Sequence, residues 1–167
     1  MKVILLMAMT LDGKIARTER HFPDWTGSDD KKLFVKMTKK AGAVIMGSKT
    51  FDTIEEPLPE RKNIVLTRNR SRQSGRADLV FTGRPPASVL MDLEKEGYTE
   101  VVLAGGSIVN SMFARANLID EIVITIAPRV FGTGISLFAD ETDMQLELME
   151  IEKLDSNHVT LRYSVIH

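Results

Sequence analysis

The sequence predicts an α/β fold: a mostly parallel central sheet with flanking helices and antiparallel C-terminal edge strands. Three observations lead there. Short apolar runs rich in Val, Ile and Leu recur along the chain, the pattern of strands buried on both faces. Amphipathic helical stretches separate most of them, as parallel βαβ units require. The last third changes character, with two or three β-rich segments and little helix, so it is expected to supply the antiparallel edge.

The first strand is expected at Val3–Met9. Its run "VILLMAM" has signal-peptide length, but it ends at the turn Thr10-Leu11-Asp12-Gly13 and lacks a basic leader and a small-residue cleavage site. It is also too short to span a bilayer, so a buried strand of a cytoplasmic protein is the expectation. Further strands follow at Ala43–Met46, Asn63–Thr67, Leu79–Phe81, Val101–Ala104, Glu121–Pro128 and His158–Val165. The helical patterns are Asp29–Ala41, Lys49–Ile54, Ser88–Glu96 and Ser107–Ala114. The loop Arg68–Arg76 is too short for an interdomain linker, and 167 residues suit a single domain.

Composition removes several function classes. With 22 basic and 23 acidic residues the net charge is −1, so no global field attracts nucleic acid or a membrane. Cysteine is absent, which excludes a disulfide framework, a thiolate metal site and a cysteine nucleophile. His21, His158 and His167 are far apart and form no helical ligand pair, so no metal site is expected.

The stretch "DWTGSDDKKLFVKM" (24–37) places adjacent aspartates at the start of a helix. With Asp29 as origin, Leu33, Met37, Ala41 and Phe34 average about 95° around the helix axis, and Asp30 lies at about 100°. Asp30 therefore looks into the apolar stripe. Asp29 is a quarter-turn away and is expected to serve the helix N-terminus near a Thr26 or Ser28 cap. Capping accounts for many first-turn acids, but a carboxylate centred on an apolar stripe must find donors or take up a proton. A carboxyl whose pKa is raised toward neutrality suits general acid chemistry.

Ligands of parallel sheets gather beyond the carboxyl ends of the strands. Two such ends carry glycine: "AVIMGSKTF", with Gly47 before Ser48-Lys49-Thr50, and "VVLAGGSIVNSMF", with Ala104-Gly105-Gly106. Backbone amides, a lysine and two hydroxyls there suit a phosphate. "GAVIMGSK" is not an ATPase phosphate loop, because its lysine is displaced by one and the residues between its glycines are strand. Two glycine turns in one small sheet point to an extended ligand with a pyrophosphate. A third strand end, Thr67 followed by Arg68, Arg70 and Arg72, suits a further phosphate such as the 2′-phosphate of NADP.

These residues match a known family. "VIMGSKTFDTIEEPLPERKNIVLTR" (44–68), "FPDW" with Asp30 five residues after Trp25, and "LAGG" resemble the dihydrofolate reductases. The resemblance implies a dihydrofolate reductase-like fold and hydride transfer from NADPH to dihydrofolate. Asp30 would then hold the amino-pyrimidine edge of the pterin and assist its protonation, with Thr125 hydrogen-bonded to it and Trp25 fixing a water. Leu6, Ala8 and Phe34 would line the pterin pocket, with Ile54 and Leu58 beside the benzoyl part and Arg61 on the glutamate carboxylate. Gly47, Ser48, Lys49, Thr50, Ala104, Gly105 and Gly106 would border the cofactor pyrophosphate, and Thr67 with Arg68 its 2′-phosphate. Ile15 and Ala16 would border the nicotinamide, with a lid from Ala16 to Trp25. A monomer is favoured over a homodimer.

Other stretches resemble a sister group. "TLDGKIA" (10–16), "AGGSIVNSMF" and "NLIDEIVITIAPRVFGTGISLF" look more like the riboflavin-pathway reductases, which reduce a ribosylamino-pyrimidine phosphate and open ribose to ribitol. Ser48 stands where the folate enzymes carry arginine beside the cofactor phosphate, and Asn110 where they usually carry an aromatic. In this alternative Asp12, Lys14 and Asn110 gain importance and Arg61 loses it. The substrate-facing stretches Trp25–Asp30 and Pro57–Arg61 weigh toward dihydrofolate. A non-catalytic NADP-binding module is the remaining, more distant alternative.

Overall fold

A computed structural model describes residues 1–167. In chain order its elements are β1 (Lys2–Thr10), β2 (Lys14–Ala16), α1 (Ser28–Ala41), β3 (Ala43–Gly47), α2 (Ser48–Ile54), β4 (Lys62–Leu66) and β5 (Leu79–Thr82). They continue with α3 (Pro86–Lys95), β6 (Glu100–Leu103), α4 (Ser107–Arg115), β7 (Glu121–Ala127), β8 (Ile135–Ser136), β9 (Gln145–Lys153) and β10 (Val159–Ile166). No helix is long and apolar enough to cross a membrane.

Eight strands form one sheet in the order β5-β4-β3-β6-β1-β7-β10-β9, and the short β2 and β8 form a separate pair. The neighbours from β5 to β7 are all parallel, whereas β10 runs antiparallel to β7 and to β9. The α/β class, the parallel centre and the antiparallel C-terminal strands are as the sequence predicts.

Strand alternation explains the two-sided core. Val3 and Leu5 of β1 join Ile45, Ile64 and Leu103 under Val89 and Leu93 of α3 and Phe113 of α4. The intervening Ile4 and Leu6 face Ala41, Phe34 and Met37 of α1, and Val44 and Met46 of β3 face Phe51 of α2. Because helices cover both faces, the central strands are apolar at nearly every position.

Three details depart from the sequence reading. The segments β2 and β8 are too short to show any periodicity. Strand β9 is exposed along its whole length, and its register shifts opposite Arg162 and Tyr163, which breaks the alternation that would have revealed it. The N-cap of α1 is Gly27, with no side-chain cap bond, so neither Thr26 nor Ser28 caps the helix. Asp29 instead pairs with Lys32 at 2.6 Å, one turn along the helix.

Phe113 is fully buried between α4 and the sheet. Phe113→Ala is expected to cost about 3–5 kcal/mol, read in urea or thermal melts. A loss below about 1 kcal/mol would mean that the site collapses around the missing ring.

Candidate functional site

The site begins where β3 and β6 lie side by side. Ala104 N donates to the Ile45 carbonyl at 2.8 Å, and Gly47 N donates to the Gly105 carbonyl at 2.8 Å, so turns 58 residues apart in sequence meet in space. From this pair β3 leads through α2 to β4 on one side, while β6 leads through α4 to β7 on the other. The connections diverge and leave a crevice between the helix starts.

Its lining fits a pyrophosphate. Neither α2 nor α4 has a side-chain cap, so their first-turn amides are free to receive an anion. Gly105 has φ +77°, a backbone conformation that favours glycine, and a Cβ there would lie 2.9 Å from the tip of the Met7 side chain. The Gly105–Gly106 peptide is cis. Thr50 Oγ1 lies beside Gly106, and Ser48 borders the same turn. Lys49 makes an exposed ion pair with Glu19 of the segment between β2 and α1. At the next strand end the Thr67 hydroxyl accepts from Asn69 N at 3.1 Å. Arg68 and Arg70 are exposed there, while Arg72 is held by Asp52 at 2.7 Å and lies over the Phe81 ring.

The second half of the site lies across β1. Ala8 pairs with Thr125 of β7, which pairs in turn with Thr160 of β10, placing a polar row beneath the first turn of α1. Thr125 is fully buried, and its hydroxyl lies 3.5 Å from that of Thr160. Asp30 points toward this row. Burial pushes its carboxyl above the ordinary aspartate value, while the Thr125 and Thr26 hydroxyls and the charges of His158 and Lys31 pull the other way. Phe34, Ile54 and Leu58 pack together at the apolar end of this pocket, with Leu6 in the floor of the sheet.

Trp25 is buried between His21 and Phe131, with ring centroids 6.4 Å and 5.2 Å away. Its Nε1 is buried and bonds no protein group, which leaves a donor available to a small polar molecule. The loop carrying Phe131 is tied down by Asp12, whose carboxylate accepts from Thr10 Oγ1 at 2.6 Å, Phe131 N at 3.1 Å and Gly132 N at 2.7 Å. The Thr10 hydroxyl and these amides lower the Asp12 pKa to about 2. Ile15 and Ala16 lie on β2, which is pinned by β8. The segment from Ala16 to Trp25 is thus anchored at its start.

Other candidates are engaged within the protein. Arg61 is buried, donating from Nη1 to Thr38 Oγ1 at 2.7 Å and from Nε to the Pro59 carbonyl at 2.8 Å. Asn110 Nδ2 donates to the Leu137 carbonyl at 2.8 Å, and its buried Oδ1 bonds no protein group. Lys14 Nζ reaches Ser136 at 3.1 Å. Thr38, Thr160, His158 and Asn63 escaped the sequence reading. Asn63, fully buried, clamps the turn before β4 through Leu58 and the Arg61 carbonyl. A polar residue inside an apolar run is the one signal that marks it.

Diverging strand ends with uncapped helix starts, and a partly buried carboxyl across one strand, suit a dinucleotide-dependent enzyme of the α/β class. The chain belongs to the RibD C-terminal domain family, whose model matches residues 1–160. This is a family of NADPH-dependent reductases. Among curated relatives, YwjB of Bacillus subtilis is 26% identical over 87% of this chain and 89% of its own length. The dihydrofolate reductase of Buchnera aphidicola is 30% identical over 70% of this chain and 67% of its own.

Among solved structures, a Shewanella protein assigned to riboflavin biosynthesis matches with TM-score 0.85 and 24% identity, covering 100% of both chains. A Thermotoga maritima deaminase/5-amino-6-(5-phosphoribosylamino)uracil reductase matches with TM-score 0.80 and 18% identity, covering 99% of this chain and 56% of that one. At these identities the structures establish the shared fold.

The raised Asp30 carboxyl makes a prediction that needs no substrate. A carboxyl raised in the folded state contributes stability at low pH that is lost as pH rises through the folded-state value. Asp30→Asn removes that loss. Its Tm is therefore expected to exceed the wild-type value by about 2–4 °C at pH 8 and by less at pH 4. Equal differences at both pH values would show that Asp30 is not titrating against a burial cost.

Proposed function

We propose that the protein is an NADPH-dependent reductase of a ribosylamino-pyrimidine phosphate, of the type that 5-amino-6-(5-phosphoribosylamino)uracil represents. The match of residues 1–160 to the RibD C-terminal domain carries this reading. Arg61 does not separate the two readings: Nη1 and Nε are held by Thr38 and the Pro59 carbonyl, while Nη2 bonds no protein group. Dihydrofolate is the second reading. It is favoured by the Trp25–Asp30 spacing and by the Buchnera relative.

In this reading Gly47, Ser48, Lys49, Thr50, Ala104, Gly105 and Gly106 hold the cofactor diphosphate. Thr67 and Arg68 take its 2′-phosphate, and Ile15 and Ala16 border its nicotinamide. NADPH supplies the hydride when bound. The reduction adds that hydride to ribose C1′, breaks the bond from C1′ to the ring oxygen, and delivers a proton to that oxygen. Asp30 holds the polar edge of the pyrimidine and keeps a proton at the site. Thr125 and Trp25 orient the groups around it, while Leu6, Ala8, Phe34, Ile54 and Leu58 exclude water. Lys49, paired with Glu19 in this structure, would turn to a cofactor phosphate.

The test is NADPH oxidation by the purified protein with 5-amino-6-(5-phosphoribosylamino)uracil and, separately, with dihydrofolate. Turnover of the first substrate is expected, falling at least about 100-fold in Asp30→Asn. Turnover of dihydrofolate alone would install the second reading, and NADPH binding without either turnover would leave a binding module. Arg68→Ala is expected to raise the KM for NADPH about tenfold and leave that for NADH unchanged. An unchanged ratio would remove Arg68 from the 2′-phosphate.

A further inference from the structure

His158 acts on the site so far only as a nearby charge. It closes the hairpin between β9 and β10, where Asp155 accepts from Asn157 N at 2.7 Å, His158 N at 2.8 Å and His158 Nδ1 at 2.9 Å. The two backbone amides already close this turn, so the turn itself does not need the ring. The imidazole is nevertheless turned inward. A Cβ on Gly27, at φ +86°, would lie 3.0 Å from its Cε1 and 3.2 Å from its Nε2. Gly27 is the N-cap of α1, the helix whose first turn carries Asp30. His158 Nε2 is buried and bonds no protein group. Two residues on, Thr160 shares this side of β10 and leads back to Thr125.

We propose that His158, clamped through Nδ1 by Asp155, is a positioning residue for Asp30, setting the protonation of that carboxyl through Nε2 across the N-cap of α1. The clamp directs the exchangeable proton to Nε2, because Asp155 accepts at Nδ1. A proton on Nε2 puts a positive charge beside the pocket and favours the Asp30 carboxylate. Loss of that proton favours the carboxylic acid.

Other groups around it are accounted for. Lys31 also favours the Asp30 carboxylate, the Thr26 and Thr125 hydroxyls bond to it, and Asp155 is the charged group on the far side of the ring. The Asn157 amide and the His158 ring and amide hold the Asp155 carboxyl down at about 2, so the clamp stays ionised wherever Asp30 changes state. Gly27 is required at this junction in two ways: its φ suits glycine, and a side chain would displace the ring.

The coupling is independent of substrate, whereas its use in catalysis rests on Asp30 as the acid of the proposed reaction. The experiment separates the two. Carbon-13 carboxyl NMR on the ligand-free protein, with Asp30 assigned by its loss in Asp30→Asn, follows that carboxyl from pH 3 to 9 beside the His158 ring nitrogens. The expected wild-type Asp30 curve carries a second inflection at the His158 midpoint. In His158→Gln that inflection is lost and the Asp30 midpoint rises by about one pH unit. Asp155→Asn moves it the same way by less.

A single wild-type inflection, or an unmoved midpoint in a folded variant, would overturn the coupling. The wild-type curve decides the matter even where a variant does not fold. In turnover of 5-amino-6-(5-phosphoribosylamino)uracil, the alkaline limb of kcat/KM should move up in His158→Gln by the same interval. A limb that stays in place while the NMR midpoint moves would overturn the catalytic use. Full turnover in Asp30→Asn would instead overturn the proposed function, and the NMR result would stand or fall by itself.

Discussion

The hydrogen-bonded neighbouring of β3 and β6 is the constraint on which the rest of this molecule depends. It closes the parallel centre of the sheet and brings Gly47 against Gly105. Because their following helices depart in opposite directions, the pair also opens the crevice at the carboxyl edge. Gly105 is favoured there by its positive φ, and a Cβ on Gly47 would press on Val109. Main chain meets main chain at the ends of these strands, and Met7 fills the place a side chain would need.

On the other side of β1 the sheet makes an unusual concession. Its face toward α1 is apolar through Ile4, Leu6, Val102 and Val123, then turns polar at Thr125 and Thr160. A carboxyl set over this row is too buried to ionise at its ordinary value and too well supplied with hydroxyls to be merely destabilising. The balance leaves Asp30 responsive to nearby charge. That makes the inward-turned imidazole of His158 consequential, whereas an exposed histidine at a hairpin would not be.

The comparisons and the geometry bear on the substrate in different ways. The stretch 44–68 weighs toward the folate enzymes in the sequence, and local similarity to a dihydrofolate reductase is real. Yet that stretch builds the β3–α2–β4 unit and one wall of the crevice at the carboxyl edge, away from Asp30. Arg61, which the folate resemblance places on the glutamate carboxylate, commits Nη1 and Nε inside the protein and leaves Nη2 without a protein partner. The family match, to the RibD C-terminal domain, spans residues 1–160 and so nearly the whole chain.

Much of this was legible in the sequence because it depends on local chemistry. Both-face burial writes itself as continuous apolar runs, and helical periodicity turned Asp30 rather than Asp29 toward the core. The glycine turns announced themselves at strand ends. The cap of α1 was misread because Thr26 and Ser28 are both good capping residues, whereas the chain enters the helix through Gly27, packed against His158. Thr38, Thr160 and His158 had no local signal, since each takes its meaning from a partner contributed by another segment, and the Thr38 partner of Arg61 was hidden for the same reason. The sequence by itself determined which segments are buried and where the chain must turn. Only tertiary structure decided which polar groups meet, because hydrogen-bond partners and electrostatic neighbours are set by sheet order and not by spacing along the chain.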